Sequence, residues 1–119
     1  MNREWHLVIG GIAFLFYQTF IDTINSTMHY PWFLGIILLA IGSVLPDKLE
    51  PAYTRYHRGI CHSHGALSLM TIFFIVSALV ALFSPACPHI LLVYLASCFF
   101  LGYLFHLLAD SVTPAGLPH

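Results

Sequence analysis

Long apolar runs, separated by short polar or proline-containing segments, dominate this chain. A membrane-spanning helix needs about 20 apolar residues, and four runs approach that length. The second run ends at Pro46, because a proline disfavours helical geometry in the residue before it. The pattern predicts an all-α protein with four helices and one long polar loop, the helices at about residues 5–21, 31–45, 65–83 and 89–110 and the loop at 46–64.

Composition indicates that these helices lie in a membrane. Of the 119 residues, 59% are hydrophobic and 8% are charged, and the mean hydropathy is +0.84. A soluble domain carries about 25% charged residues. From Gly59 to Ala109 there is no Asp, Glu, Lys or Arg, so a helix there has no charged face to present to water. We therefore expect a single integral membrane domain, residues 1–119, folded as a four-helix transmembrane bundle.

The few positive charges predict an orientation. Arg3 precedes the first helix, and Lys48, Arg55 and Arg58 lie between the second and third. Because Lys and Arg favour cytoplasmic loops, we expect a multi-pass protein of the cell membrane with both termini and loop 46–64 in the cytoplasm. The net charge is −1 and no basic patch occurs, so the expected partner is membrane lipid and not nucleic acid.

Histidines and carboxylates gather at the helix ends that four crossings would place on one membrane face. Imidazole and carboxylate ligands suit zinc or manganese. Seven candidates are too many for one tetrahedral ion, so we expect one or two divalent ions, zinc or alternatively manganese. The candidate ligands are His6, Asp47, Glu50, His57, His62, His106 and Asp110.

The fourth helix carries the sharpest local pattern. His106 and Asp110 are four residues apart and therefore lie on one helical face. Gly102 is one turn earlier, where it would let another helix approach closely. Taken alone, this pair is more typical of an isolated hydrogen bond, or of a histidine placed favourably at a helix C-terminus, than of a metal site. The convergence of several such elements on one face favours a metal site.

Several other residues are interpreted as structural. The three cysteines show no CxxC spacing, so neither a disulfide framework nor a zinc finger is predicted. Asp22 is interpreted as a solvated loop acid. Aromatic residues that we expect at the membrane interface are Trp5, Tyr17, Tyr30 and Trp32.

A set of short motifs resembles a known family. Their order and spacing are similar to those of the LexA-binding, inner-membrane-associated hydrolases, also called membrane-bound metal-dependent hydrolases. The resemblance spans Gly42 to Pro118 and extends towards His6, and residues 113–118 resemble an archaeal branch. The motifs are Gly42-Ser43-Val44-Leu45-Pro46-Asp47, His57-Arg58-Gly59 with His62-Ser63, Gly102-Tyr103 with His106-Leu107 and Asp110, and Thr113-Pro114-Ala115-Gly116.

The resemblance implies metal-dependent hydrolysis, an activity that is itself a prediction for the family, and it implies no substrate. One departure concerns the segment after Pro46. Many members have Asp-x-Asp-His there, whereas this chain has Asp47-Lys48-Leu49-Glu50. Glu50 would stand in for the second acid, so the number of metal ions stays open.

The candidate chemistry leads to two hypotheses. Metal binding lowers the pKa of water from 15.7 to about 7, and two ions about 3.5–4 Å apart suit phosphoester hydrolysis. Arg58 is the candidate phosphate-binding residue, although it would serve equally well as a positive anchor. A site at the membrane surface favours a small-molecule or lipid-linked phosphate. The alternative is a non-catalytic membrane interaction protein with a structural metal, so the sequence leaves open whether this is an enzyme. A transporter is disfavoured because the ionisable residues crowd one end of the helices.

Overall fold

A computed structural model describes residues 3–24, 30–49, 63–84 and 89–112, and these form four helices. All four are long and apolar enough to cross a membrane. At 1.5 Å per residue, helices of this length span about 27–33 Å, close to the thickness of the hydrocarbon core. The predicted all-α, four-helix fold is thus confirmed. The helices are α1 (Arg3–Ile24), α2 (Trp32–Leu49), α3 (His64–Phe83) and α4 (Ile90–Ser111).

The end of α2 differs from the sequence prediction. The helix continues through Pro46 to Leu49, so the expected end at Leu45 is one turn short. A proline removes one backbone hydrogen bond, here to the carbonyl of Gly42, and this loss is confined to the last turn. Pro46 is fully buried, and packing in the bundle therefore offsets the lost bond. The added turn is important because it carries Asp47.

Helix α4 is the centre of the bundle. It packs against each of the other three helices, whereas α1 and α3 touch each other far less closely. Half of the most apolar stretch of α4 is buried, against 22–28% for the other helices. Lipid tails are as apolar as leucine, so helices in a membrane associate through close packing and hydrogen bonds. The fold of this protein therefore depends on the surface of α4.

Two glycines allow α2 and α4 to approach at backbone distance. A Cβ atom at Gly42 would collide with the carbonyl oxygen of Phe99, and one at Gly102 would collide with the carbonyl oxygen of Leu39. The Ser43 hydroxyl donates a hydrogen bond to the carbonyl oxygen of Gly102, at 3.4 Å. The close approach expected at Gly102 is therefore confirmed, and Gly42 contributes equally to it.

A buried polar cluster connects α1 and α4 nearer the opposite end of the bundle. The hydroxyls of Tyr17 and Ser97 are hydrogen-bonded to each other, and the Tyr94 hydroxyl donates to the side-chain oxygen of Gln18. The interfacial position expected for Tyr17 is therefore wrong, because this side chain faces the core. The signal that the sequence offered was Gln18, an amide within an apolar helix, which needs a partner when it is buried.

The aromatic residues at the helix ends divide into two groups. Trp5 and Trp32 are about 60% exposed, as interfacial side chains should be. Tyr30 is instead buried, which corrects its predicted placement. Its ring stacks on that of Tyr94 and its hydroxyl donates to the carbonyl oxygen of Ala81, at 2.8 Å. Burial raises the pKa of Tyr30. Asp22, expected in a loop, lies in the last turn of α1 and accepts a hydrogen bond from Gln18.

Candidate metal centre

On three of the helices, the row of side chains that faces the core leads to an ionisable residue at the same end of the bundle. On α1, the buried positions repeat every three or four residues and begin at His6. On α2, Asp47 is one turn beyond Ser43. On α4, His106 and Asp110 continue the face that includes Gly102. The helical period therefore directs all four ionisable side chains to the same end of the bundle.

These four side chains form one cluster. The two oxygens of Asp110 face the two histidines, with Oδ1 at 3.3 Å from His6 Nε2 and Oδ2 at 3.3 Å from His106 Nε2. Asp47 Oδ1 is 3.5 Å from the same His106 nitrogen. The two imidazole rings stack, with their centroids 3.9 Å apart. The structure therefore brings four of the seven candidate ligands together, namely His6, Asp47, His106 and Asp110, and their role as ligands stays a prediction.

Small residues beneath the cluster bring the helices together. Gly10 is one turn from His6, and a Cβ atom there would lie 3.0 Å from Ser43 Oγ. Gly102 is likewise one turn from His106 and contacts the backbone of α2. The close approach at Gly102 was predicted from the sequence, whereas the contact between Gly10 and Ser43 was not. Their signal was a small residue one helical turn from a candidate ligand.

The distances in the cluster fit a shared cation. Charge-assisted N–H···O bonds have lengths of about 2.7–2.9 Å, whereas these three contacts measure 3.3, 3.3 and 3.5 Å. A tetrahedral zinc site with ligand bonds of about 2.0–2.2 Å has ligand-to-ligand edges of about 3.3–3.6 Å. His6, Asp47 and His106 can each offer one ligand atom within 4.8 Å of the others. These three residues could therefore hold a metal ion.

The charges of the cluster also fit a cation. Two unit charges about 4 Å apart repel by about 4 kcal/mol at the effective dielectric constant of a protein. The ring centroids of His6 and His106 are 3.9 Å apart, which is close to that separation. With both imidazoles neutral, as metal ligands must be, the two carboxylates give the cluster a net negative charge, which is costly in a largely buried site unless it is neutralised. A divalent ion would supply the missing positive charge.

Burial distinguishes Asp47 from the other members. The side chains of His6, His106 and Asp110 are at most 3% exposed, whereas that of Asp47 is 28% exposed. Water therefore reaches the cluster on the Asp47 side. His6 Nδ1 is buried and has no hydrogen-bond partner among the described residues. A histidine that ligates a metal through one nitrogen usually donates a hydrogen bond from the other nitrogen. His6 Nδ1 is therefore the atom from which such a hydrogen bond would be donated.

Four of the predicted site residues lie outside the described residues. These are Glu50, His57, Arg58 and His62, and their roles stay predictions. The nearest described residue of that segment is Ser63, whose side chain caps α3 by accepting a hydrogen bond from the backbone N–H of Ala66 at 3.1 Å. His64 follows in the first turn of α3, and its side chain is exposed.

Four apolar helices of spanning length, closed at one end by a buried histidine–aspartate cluster, define a multi-pass integral membrane protein. Comparison with family models gives the family: residues 1–119 match the model described as YdjM inner membrane protein, and the chain belongs to that family. No match was found among curated proteins or among solved structures. Membership supports the inner-membrane part of the resemblance described above. LexA binding, hydrolase activity and the archaeal branch stay predictions.

Proposed function

We propose that this protein is a metal-dependent hydrolase of the membrane surface, acting on a phosphoester. The observation that carries the proposal is the cluster of His6, Asp47, His106 and Asp110, with its distances of 3.3–3.5 Å. Two imidazoles and two carboxylates form a ligand set for zinc, with manganese as the alternative. If the segment 50–62 adds the predicted ligands His57, His62 and Glu50, a second ion has a place as well.

Each described residue has a distinct role in this proposal. Asp110 faces both imidazoles and thereby fixes the orientation of their Nε2 atoms. His6 and His106 provide neutral nitrogen ligands from opposite ends of the chain. Asp47 lies at the exposed side, where substrate and water arrive. When bound, the ion would supply Lewis acidity, which makes water a usable nucleophile near neutral pH. We assign the substrate phosphate to Arg58, because guanidinium binds phosphate through two parallel hydrogen bonds.

One observation favours a second candidate function. Three of the four cluster side chains are almost fully buried, and a metal with four protein ligands is typical of structural sites. Such an ion would hold α1, α2 and α4 together in a non-catalytic membrane interaction protein. The two functions differ in coordination: a catalytic metal keeps a position open for water or substrate, whereas a structural metal does not.

The test uses the detergent-purified full-length chain loaded with zinc or manganese. We expect turnover of at least one phosphate ester, abolished by chelation and restored by the metal. Turnover should fall below about pH 6, where protons compete with metal for imidazole. Arg58→Lys should lower turnover and leave metal content unchanged, since lysine keeps the charge but loses the two-pronged geometry.

The matched control for these assays is His89→Asn, which removes an exposed histidine at the opposite end of the bundle, and asparagine tolerates the left-handed backbone at this position. It should leave both metal content and turnover unchanged. If the metal-loaded protein hydrolyses no phosphate, amide or carboxylic ester between about pH 5 and 9, the catalytic proposal is wrong. Bound metal with all coordination positions taken by protein ligands would then favour the structural function.

A further inference from the structure

An apolar groove lies between α1 and α3, with α4 as its floor. It forms because α1 and α3 both pack on α4 and leave a gap between themselves. Its volume is about 610 Å³, within the range of small-molecule sites. Leu101 and Phe105 of α4 line the floor, and Phe74 of α3 lines one wall. The other wall is a stripe of α1 that runs from Ile9 to Phe20.

The length of the groove matches half of a bilayer. Ile9 and Phe20 are eleven positions apart on one helix, which corresponds to about 16 Å at 1.5 Å per residue. The hydrocarbon core of a bilayer is about 30 Å thick, so one leaflet contributes about 15 Å. The groove is therefore as long as one extended acyl chain of a single leaflet.

One end of the groove adjoins the candidate metal centre. Ile9 is less than one helical turn from His6, and Phe105 directly precedes His106. The groove then runs away from the cluster along α1, past the middle of the bundle, and ends at Phe20, about one turn before the opposite end of the helix. A molecule lying in it would have one end beside the histidine–aspartate cluster and would extend past the middle of the membrane.

The lining of the groove indicates an alkyl occupant. Among the described residues that line it, Tyr17 alone carries a polar side-chain atom, and its hydroxyl is already bonded to Ser97. A hydrogen-bonding ligand would find no partner there. The exposed rim carries Phe16 and Phe20. These two large side chains oppose the packing of a second helix on the groove, because helices in membranes associate through small residues. A flexible alkyl chain can instead lie between the phenyl rings.

We propose that this groove holds an acyl chain of a membrane phospholipid whose phosphate headgroup lies at the cluster of His6, Asp47, His106 and Asp110. The proposal rests on the proposed function and names its substrate class. The acyl chain gains little free energy by leaving the bilayer, since the surrounding tails are equally apolar. The headgroup therefore provides the affinity, and the groove sets the position of the chain.

The test uses the full-length protein in phosphatidylcholine vesicles that contain a phosphatidic acid with a photoreactive diazirine on one acyl chain. After irradiation, mass spectrometry locates the labelled residues. We expect labelling of Leu101 and Phe105 in the groove that excess unlabelled phosphatidic acid reduces by at least about threefold. Label on Ile36 and Ile37, exposed residues of α2 that line neither the groove nor the apolar depression around Ala40 on α2, should not respond to this competitor, because they contact bulk lipid.

A pair of substitutions provides the matched control. Ala13→Phe places a ring inside the groove and should reduce the competed label about threefold or more. Ala40→Phe makes the same change at a separate apolar depression on α2 and should have no such effect. If Ala13→Phe fails to fold, the competition in the wild-type chain still decides the question.

Each outcome bears on one claim. The groove proposal is overturned if the groove and the exposed face of α2 are labelled equally and the competitor changes neither. Disulfide formation between two copies of Phe16→Cys assigns the groove to a second copy of this chain and also overturns it. Bound metal and turnover without groove labelling would leave the proposed function standing. Competed labelling without any bound metal would instead refute the proposed function and would overturn the placement of the phosphate at the cluster, because two carboxylates repel an anionic headgroup; only the acyl-chain site in the groove would stand.

Discussion

At the residue scale, Asp110 determines how the cluster is arranged. It is the residue whose two oxygens face both histidines, and it is almost fully buried. An amide in its place would keep the shape and lose the charge. It would also present an NH₂ group to one of the two ring nitrogens. The cluster therefore requires a carboxylate specifically at this position.

Asp110→Asn should weaken zinc binding by at least about tenfold, because metal sites lose 10–100-fold in affinity even when an outer carboxylate is removed. Thermal stability in the presence of zinc should fall with it, since binding to the native state adds to stability. Competition against a chromophoric chelator measures the affinity. The control is Asp22→Asn, an exposed acid in the last turn of α1, which should change neither quantity. Equal zinc affinity in Asp110→Asn and wild type would remove Asp110 from the site.

At the element scale, the contact between α2 and α4 positions Asp47 against His106. The two helices can approach only because Gly42 and Gly102 carry no side chain where each meets the opposing backbone. Ser43 adds a hydrogen bond across the same contact. A side chain at either glycine would have to push the helices apart, and the ligands at their ends would separate with them.

Gly102→Ala should therefore destabilise the protein by about 1–3 kcal/mol, the usual cost of overpacking a tight contact, and it should lower metal content. Gly11→Ala is the matched control, because no atom lies within 4 Å of a Cβ atom built there. That change should be neutral or stabilising by up to about 1 kcal/mol, since alanine has the higher helix propensity. Unfolding in a denaturing detergent measures both. If Gly102→Ala and Gly11→Ala have the same stability and the same metal content, the contact between α2 and α4 does not control the metal centre.

Much of this arrangement was predictable from the sequence. Apolar runs predict the four helices, and the alternation of their directions brings His6, Asp47, His106 and Asp110 to one end. The spacing within α4 alone identified Gly102, His106 and Asp110 as one face. These inferences work because helical period and membrane thickness are fixed by backbone geometry.

The remaining features depend on tertiary packing. Pro46 is a helix-ending signal in sequence, yet in the bundle it is buried and α2 continues past it. Tyrosine is a residue type typical of membrane interfaces, yet Tyr17 and Tyr30 are both buried. Their hydroxyls are hydrogen-bonded to partners on α4 and α3, respectively. No local pattern states where those partners lie. The same holds for the groove, which exists because α1 and α3 each pack on α4.

At the scale of the whole molecule, the distribution of positive charge predicts on which side of the membrane the cluster lies. Lys48 lies beside Asp47 at the end of α2 that carries the cluster. Positive residues favour the cytoplasmic side, so we predict a cytoplasmic cluster. In a background without native cysteines, Lys48→Cys and Ser84→Cys should react with an impermeant thiol reagent from opposite sides of the membrane. Both residues are exposed, at opposite ends of the bundle. Labelling of both from one side would contradict the four-crossing arrangement.

The central claim is that the buried histidine–aspartate cluster binds a divalent metal, and the most direct measurement is the metal content of the purified chain. Elemental analysis of detergent-purified protein, exposed to zinc and manganese and then freed of loose ions, should find about one to two ions per chain. His106→Ala should lose this metal while keeping its helical circular dichroism, and His89→Asn should retain it. Absence of stoichiometric metal in the folded wild-type chain, or an unchanged content in His106→Ala, would contradict the account.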